Sequence, residues 1–345
     1  PKRLLTWRRG LIAALLIVGI AFGVLRLAPT DDFVFIPGKT RLVAPLVKVP
    51  DEQDPPAEGG IYMVDIRVKS ATLFDRAFPG LNGDATVVDG DVLNPQGVSD
   101  EQREQRSTLQ MVTSQDVSAA VALEALGYDV EADPAGVLVD LVQPEGAATG
   151  ILEPGDIITS AEGLDVATPS DLAAALEPVE PGATITLQVE RDDGLEEVMI
   201  ETFADPDDPE RALIGIRIEQ AATIDLPIDI EIDTGNVGGP SAGLAFALDI
   251  VDELGPRDLD AGRTIVVTGT LELDGSVGAI GGVKQKAVSA RELGADLFLV
   301  PVANEEVARD NAGDVEVFGV ETLDEALEAI TGEPVSALAL GELQE

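Results

Sequence analysis

Hydrophobic and polar positions change rhythm several times along these 345 residues. From Gly10 to Leu25 the chain is uncharged, behind a basic start at Lys2, Arg3, Arg8 and Arg9 and ahead of Arg26. At roughly 1.5 Å per residue, such a run just spans a bilayer if Arg26 reaches out to the interface. No small-residue cleavage pattern ends it and Pro29 sits badly for cleavage, so an uncleaved anchor is expected rather than a signal peptide. The arginines ahead of the run would keep the N-terminus in the cytoplasm and the remainder outside. Residues 33–36 and 40–49 then read as two strands, 50–60 as an acidic, proline-rich loop, and 61–68 as a sheet strand. Residues 82–105 are polar and predict no element. Ser114 or Asp116 is expected to cap a helix with apolar positions Val117, Val121, Ala122 and Leu126, stopped by Gly127.

From Gly127 to Ile200 the pattern shortens into strands and turns. Residues 136–142 predict one strand, Pro154-Gly155-Asp156 a turn into a second at Ile157-Ile158, and 184–189 a third. Ser170 is expected to cap a short helix over 171–176. Residues 205–209, with Pro206 and Pro209 among aspartates, read as a linker. Beyond them strands are expected at 213–218, 228–232, 264–268 and 297–301. Helices are expected over 241–254, from Lys284 to Gly294, and over 323–330. Strands alternating with helices fit a layered α+β or α/β core.

Composition changes this picture at one point above all. The chain has no histidine and no cysteine. Histidine triads, thiol nucleophiles and His- or Cys-ligated zinc are therefore impossible here. A serine nucleophile would need a lysine as its base, kept neutral by burial or by neighbouring positive charge. The turn Gly238-Gly239-Pro240-Ser241-Ala242-Gly243 places a serine hydroxyl before an apolar helix, where main-chain N–H groups suit a developing oxyanion. Lysines occur only at 2, 39, 48, 69, 284 and 286. Two of them follow the Gly281-Gly282 pair at the start of a helix, a poor place for a cation and a good one for a neutral amine. Periodicity alone does not choose between Lys284 and Lys286. A formal net charge of −42 repels phosphate and argues against nucleic acid as a partner, leaving an acidic, solubilising surface.

Residues 228–330 resemble the proteolytic domain of the Lon family, a Ser-Lys dyad peptidase. The resemblance rests on Pro240-Ser241-Ala242-Gly243, on Thr268-Gly269-Thr270-Leu271 with Asp274-Gly275, and on Gly281-Gly282-Val283-Lys284-Gln285-Lys286. It implies Ser241 as nucleophile, Lys284 as base at a spacing of 43 residues, and Thr268 as the hydroxyl that orients the lysine. Main-chain groups of Gly239, Pro240 and Ser241 would form the oxyanion hole. Residues 127–203, through Pro154-Gly155-Asp156-Ile157-Ile158, resemble a PDZ domain, which binds an extended peptide at a sheet edge. The groove is expected at Gly136, Val137, Leu138 and Val139, although no Gly-Leu-Gly-Phe loop is present for a free C-terminus.

Together these features resemble the membrane-anchored, PDZ-containing Lon-like peptidases. The expected architecture is α+β: a Lon-type proteolytic domain with an inserted, mostly-β PDZ domain and an N-terminal transmembrane helix. Its divisions are a cytoplasmic tail (1–9), the anchor (10–28), an N-terminal part of the peptidase region (33–125), the PDZ domain (127–203) and the Ser-Lys domain (210–336). No G-x-x-x-x-G-K-[ST] loop occurs. The implied activity is thus ATP-independent endoproteolysis of short or unfolded exported peptides at the membrane. No cofactor or metal is needed, and the resemblance implies a homo-oligomer of six subunits. The rival expectation is a non-catalytic anchored adaptor or holdase with a degenerate peptidase domain.

Overall fold

A computed structural model describes residues 2–50, 59–79, 83–90, 100–143, 146–191, 194–205, 208–235 and 237–333. One six-stranded sheet runs in the order Glu316–Val320, Leu297–Pro301, Thr264–Val267, Gly60–Thr72, Pro29–Leu42 and Thr86–Val88. The first four pair parallel to one another; Pro29–Leu42 runs antiparallel to both of its neighbours. Alternation along each strand sends side chains to two separate cores. Ile61, Met63, Ile265, Val267 and Leu299 pack beneath helices Gly243–Leu254 and Leu323–Thr331. Val64, Val266, Phe298 and Val300 pack beneath Val283–Leu293 and Glu305–Ala312.

The first six residues of the helix Gly243–Leu254 carry no polar side chain, and Leu244 through Leu248 are fully buried. A helix of that pattern belongs inside a molecule. Here it lies between the sheet and the helix Asp100–Ala125.

A second, antiparallel sheet runs in the order Ile216–Asp225, Glu131–Val142, Ile157–Ala161, Thr184–Arg191, Gly194–Glu201. Its core of Val137, Val139, Ile158, Ile185, Leu187 and Val189 is closed by Leu172 and Ala175 of the helix Pro169–Leu176.

Several sequence expectations are corrected. The strand expected at 33–36 and the start of the one expected at 40–49 are a single strand, Pro29–Leu42, with a register shift between Pro37 and Thr40; Ala44–Leu46 is instead a 3-10 turn, and Val47–Lys48 a short strand paired with Glu231–Ile232. The helix expected to start at Ser114 or Asp116 begins at Asp100, so Ser114 lies mid-helix, with its hydroxyl against Pro240. Thr168, not Ser170, caps Pro169–Leu176, and Asp171 completes a reciprocal capping box. The 213–218 strand is split into Ala212–Leu213 and Ile216–Asp225, and the 228–232 strand shrinks to Glu231–Ile232. Pro206 and Asp207 of the expected linker lie outside the described residues.

The membrane expectations are corrected as well. Lys2–Leu27 is a helix of 26 residues, but no helix among the described residues is long and apolar enough to cross a membrane. The charge-free run 10–25 supplies about 24 Å of rise against a hydrocarbon core of about 30 Å. Arg26 does not reach away from the fold: its guanidinium lies 3.9 Å from the ring centroid of Phe74 and 5.3 Å from that of Phe22. Leu11, Ile12, Leu15 and Leu16 are exposed on this helix. The expected transmembrane anchor is corrected by that finding, and the tail-in topology, the outward-facing catalytic region and the membrane partner lose the span they were drawn from.

Candidate active site

Ser241 ends a glycine turn in which Gly239 takes the left-handed conformation, φ 85°, and it precedes the helix capped by Ala242. Thr268 directly follows the parallel strand Thr264–Val267, at the sheet end where open α/β folds place their ligands. The third participant comes from the helix Val283–Leu293, bounded by Gly282 and Gly294 in left-handed conformations. On that helix Val283, Lys286, Ala287 and Ala290 occupy one buried face.

That helical phase decides which lysine meets the serine. Lys286 Nζ donates to Ser241 Oγ at 2.7 Å and to Thr268 Oγ1 at 2.8 Å. Lys284, expected as the base, lies about 200° round the helix and is half-buried. Lys286, and not the Lys284 expected as the base, is thus the lysine that stands against Ser241. The implied spacing of 43 residues selected a residue on the wrong face, and the apolar positions Val283, Ala287 and Ala290 carried the signal that selects Lys286. Thr268 is fully buried and also donates through Oγ1 to the Ser241 carbonyl at 3.0 Å. Gly269 N–H donates to the same carbonyl at 3.0 Å, so the turn is held from the strand side.

Lys286 is 2% exposed, and both of its hydrogen-bond partners are neutral hydroxyls. Burial pushes its pKa down from 10.5 to about 7, against a weaker opposing pull from the Asp65 carboxylate. The amine is thereby poised to exchange its proton near neutrality.

The oxyanion-hole expectation needs correcting. Pro240 has no N–H to offer, and the Gly239 N–H already donates to Ser107 O at 2.8 Å. Of the three residues, Ser241 remains. The turn is braced from the other side by the helix Asp100–Ala125, whose contribution the sequence reading missed. Ser114 Oγ donates to Pro240 O at 3.1 Å, and Ser118 Oγ to Gly243 O at 2.9 Å. A Cβ on Gly238 would stand 2.2 Å from Ser107 Oγ and 3.2 Å from Ser107 O, so a larger residue would turn that hydroxyl aside and crowd the helix.

The peptide groove expected at Gly136, Val137, Leu138 and Val139 is also corrected. Those residues lie on an interior strand, paired with Ile216–Asp225 on one side and Ile157–Ala161 on the other. No edge is open there to add a strand. A cavity of about 900 Å³ lies instead between the helix Pro169–Leu176 and the edge strand, lined by Leu172, Leu176, Ile214, Ile216 and Ile218. A smaller cavity of about 570 Å³ adjoins the Ser241 turn at Gly238, walled by Met111, Val112, Thr234 and Val237. Asp252, Asp258 and Asp260 bring carboxylate oxygens within 4.8 Å of one another, the one such acidic group among the described residues. Each already accepts a main-chain N–H, from Leu259, Ala261 and Gly262 respectively.

Residues 209–332 match the Lon protease (S16) C-terminal proteolytic domain, and residues 124–202 match the PDZ domain. Both likenesses are to domains. A Lon protease of Ureaplasma parvum is 30% identical over 125 residues, 34% of this chain and 16% of that protein. Lon protease 2 of Bacillus subtilis is 33% identical over 111 residues, 32% of this chain and 19% of that protein. Among solved structures, the PDZ domain of an SdrC-like protein from Listeria monocytogenes is 25% identical, covering 24% of this chain and 87% of that one, with a TM-score of 0.23. The similarity to Lon proteolytic domains supports a serine-protease-like hydrolytic function at the family level. The chain spans less than a fifth of the length of these Lon relatives. The lack of a phosphate loop in this sequence therefore says nothing about whether a motor works with it.

Proposed function

We propose that the protein is a hydrolase of peptide bonds acting through a Ser241–Lys286 dyad. The observation that carries this reading is the 2.7 Å contact between Ser241 Oγ and Lys286 Nζ, made by a lysine whose pKa is pushed down to about 7. The neutral amine takes the hydroxyl proton as Oγ attacks the scissile carbonyl carbon. The ammonium returns that proton to the leaving amine as the C–N bond breaks. Water then repeats the sequence on the acyl-enzyme: Lys286 accepts its proton, the C–Oγ bond breaks, and Ser241 recovers its hydrogen. The Ser241 N–H supplies a candidate donor to the oxyanion, a contact worth about 3 kcal/mol in other hydrolases. Thr268 fixes the amine from its other side.

An extended peptide is the substrate these surfaces fit. The cavity beside Gly238 offers room for a side chain flanking the scissile bond, and the β-rich domain offers an apolar groove along an edge strand. The test is cleavage of casein by the full chain, compared with Ser241→Ala and Lys286→Met. Loss of cleavage in both variants is expected; cleavage that survives either substitution overturns the proposal.

A further inference from the structure

Asp140 belongs to the β-rich domain, on the strand Glu131–Val142, outside the match to the proteolytic domain. Its side chain is almost wholly buried, at 1% exposure. Arg106 Nε donates to Oδ1 at 2.6 Å, Gln110 Nε2 to the same oxygen at 3.4 Å, and Arg217 Nε to Oδ2 at 3.0 Å. Arg106 and Gln110 are one turn apart on the helix Asp100–Ala125, so the carboxylate grips that helix at two points. Burying a charge this deeply is tolerable only with such compensation.

The gripped helix is the one that braces the nucleophile turn. Ser107, Ser114 and Ser118 follow one another at spacings of seven and four residues, which places them on one face. From that face come the acceptor for Gly239 N–H and the donors to Pro240 O and Gly243 O. The packing there leaves no slack: a Cβ on Gly243 would stand 2.8 Å from Ser114 Oγ and 3.2 Å from Ser118 Oγ. An axial shift of the helix thus has to move the turn. Arg217, the second cation on Asp140, lies between Ile216 and Ile218, which line the larger cavity.

We propose that Asp140 is a positioning residue for Ser241, acting from the β-rich domain through Arg106 and the serine face of the helix Asp100–Ala125. The inference rests on the Ser241–Lys286 reading. It makes the β-rich domain part of the catalytic geometry rather than only a site for peptide.

The test uses the full chain with casein as substrate, and follows kcat, KM and thermal unfolding in Asp140→Asn, Arg106→Gln, Ser114→Ala and the double variant Asp140→Asn/Ser114→Ala. Misplacement of the nucleophile predicts that kcat falls roughly ten- to a hundredfold in Asp140→Asn with little change in KM. Asp140 and Ser114 on one path predict a double variant no worse than the poorer single one. Losses that multiply in the double variant, or an unchanged kcat in a folded Asp140→Asn, overturn the proposal. If Asp140→Asn does not fold, Arg106→Gln decides alone, because Arg217 and Gln110 still satisfy the carboxylate: a normal kcat there overturns the inference, and a reduced kcat at normal KM upholds it. Ser241→Ala separates the two levels. Its inactivity beside a fully active Asp140→Asn removes only this inference, whereas its activity removes the dyad itself.

Discussion

Lys286 and Asp140 are both withdrawn from water, at 2% and 1% exposure, yet their surroundings treat them in opposite ways. Asp140 is met by two guanidinium groups and an amide. Lys286 is met by two hydroxyls, and the carboxylate that pulls on it, Asp65, is too weak a partner to offset burial. A buried charge that is fully compensated is fixed and serves architecture. A buried amine denied a counter-ion gives up its proton near neutral pH and becomes a base. The difference lies less in the residue types than in what each neighbouring element brings to the site.

The sharpest way to break that contrast is to change the amine. Lys286→Met removes the proposed base and Lys286→Arg replaces it with a group that stays cationic. Each should lower kcat/KM by on the order of a thousandfold, within the range for lost general-base catalysis. Lys284→Met should stay within about twofold of the parent, since its side chain lies off the buried face of the helix. Casein cleavage by the three variants checks this, and equal damage from Lys284→Met would sink the assignment.

The second prediction concerns pH. With Lys286 shifted down to about 7, the reactive neutral form grows as pH rises through that value and saturates above it. The rate should climb about tenfold per unit below the midpoint. A flat profile between pH 5 and 9 would show that the amine does not limit the reaction.

The sequence made parts of this site legible and hid others, for definable reasons. The absence of histidine and cysteine forced attention onto lysine, and the glycine turn located Ser241. Both signals are local. Choosing between Lys284 and Lys286 needed the helical phase set by Val283, Ala287 and Ala290, which a residue count cannot supply. Ser114 resembled a helix cap because its hydroxyl stands beside polar residues; its actual partner, Pro240 O, is 126 residues away. The run 136–142 signalled a strand that the structure contains, but strand order is a non-local property. Only pairing on both of its sides shows that Val137 and Leu138 cannot open a groove. The uncharged N-terminal run was visible as a helix, while the folding back of Arg26 onto Phe74 was not.

A smaller effect is expected from Thr268→Val, which keeps the shape of a fully buried side chain and removes its hydroxyl. Lys286 then loses one of its two hydrogen-bond partners, and the Ser241 carbonyl loses one donor. One hydrogen bond of about 1.4 kcal/mol corresponds to about a tenfold fall in kcat. Thr268 Oγ1 favours the ammonium form by accepting from it. Its loss should therefore move the midpoint of the pH profile to the acid side. A shift to the alkaline side would contradict the proposed role.

The comparison extends to stability through a third buried group. Asp249, at 2% exposure, has Oδ2 without a hydrogen-bond partner. Burial, reinforced by Glu253 and Asp252, raises its pKa well above 3.8. It is the acidic counterpart of Lys286, a buried ionisable group with no counter-ion, and it holds the neutral form by keeping its proton. Because its folded-state pKa lies above the unfolded one, the folded protein binds more protons than the unfolded chain above about pH 4. The stability it contributes is present at low pH and fades as pH rises through its folded pKa. Asp252, raised to about 7, acts with the same sign. Lys286 has the reverse shift: between about 7 and 10.5 the unfolded chain binds more protons, so stability gains as pH rises across that window. Asp249→Asn should therefore raise Tm over the parent by a few degrees at pH 8, with the gain shrinking towards pH 5. Lys286→Met should show its gain below pH 7 and lose it towards pH 10. Thermal unfolding from pH 5 to 10 checks both, and gains that follow the same pH trend in the two variants would refute the opposite treatment of amine and carboxyl.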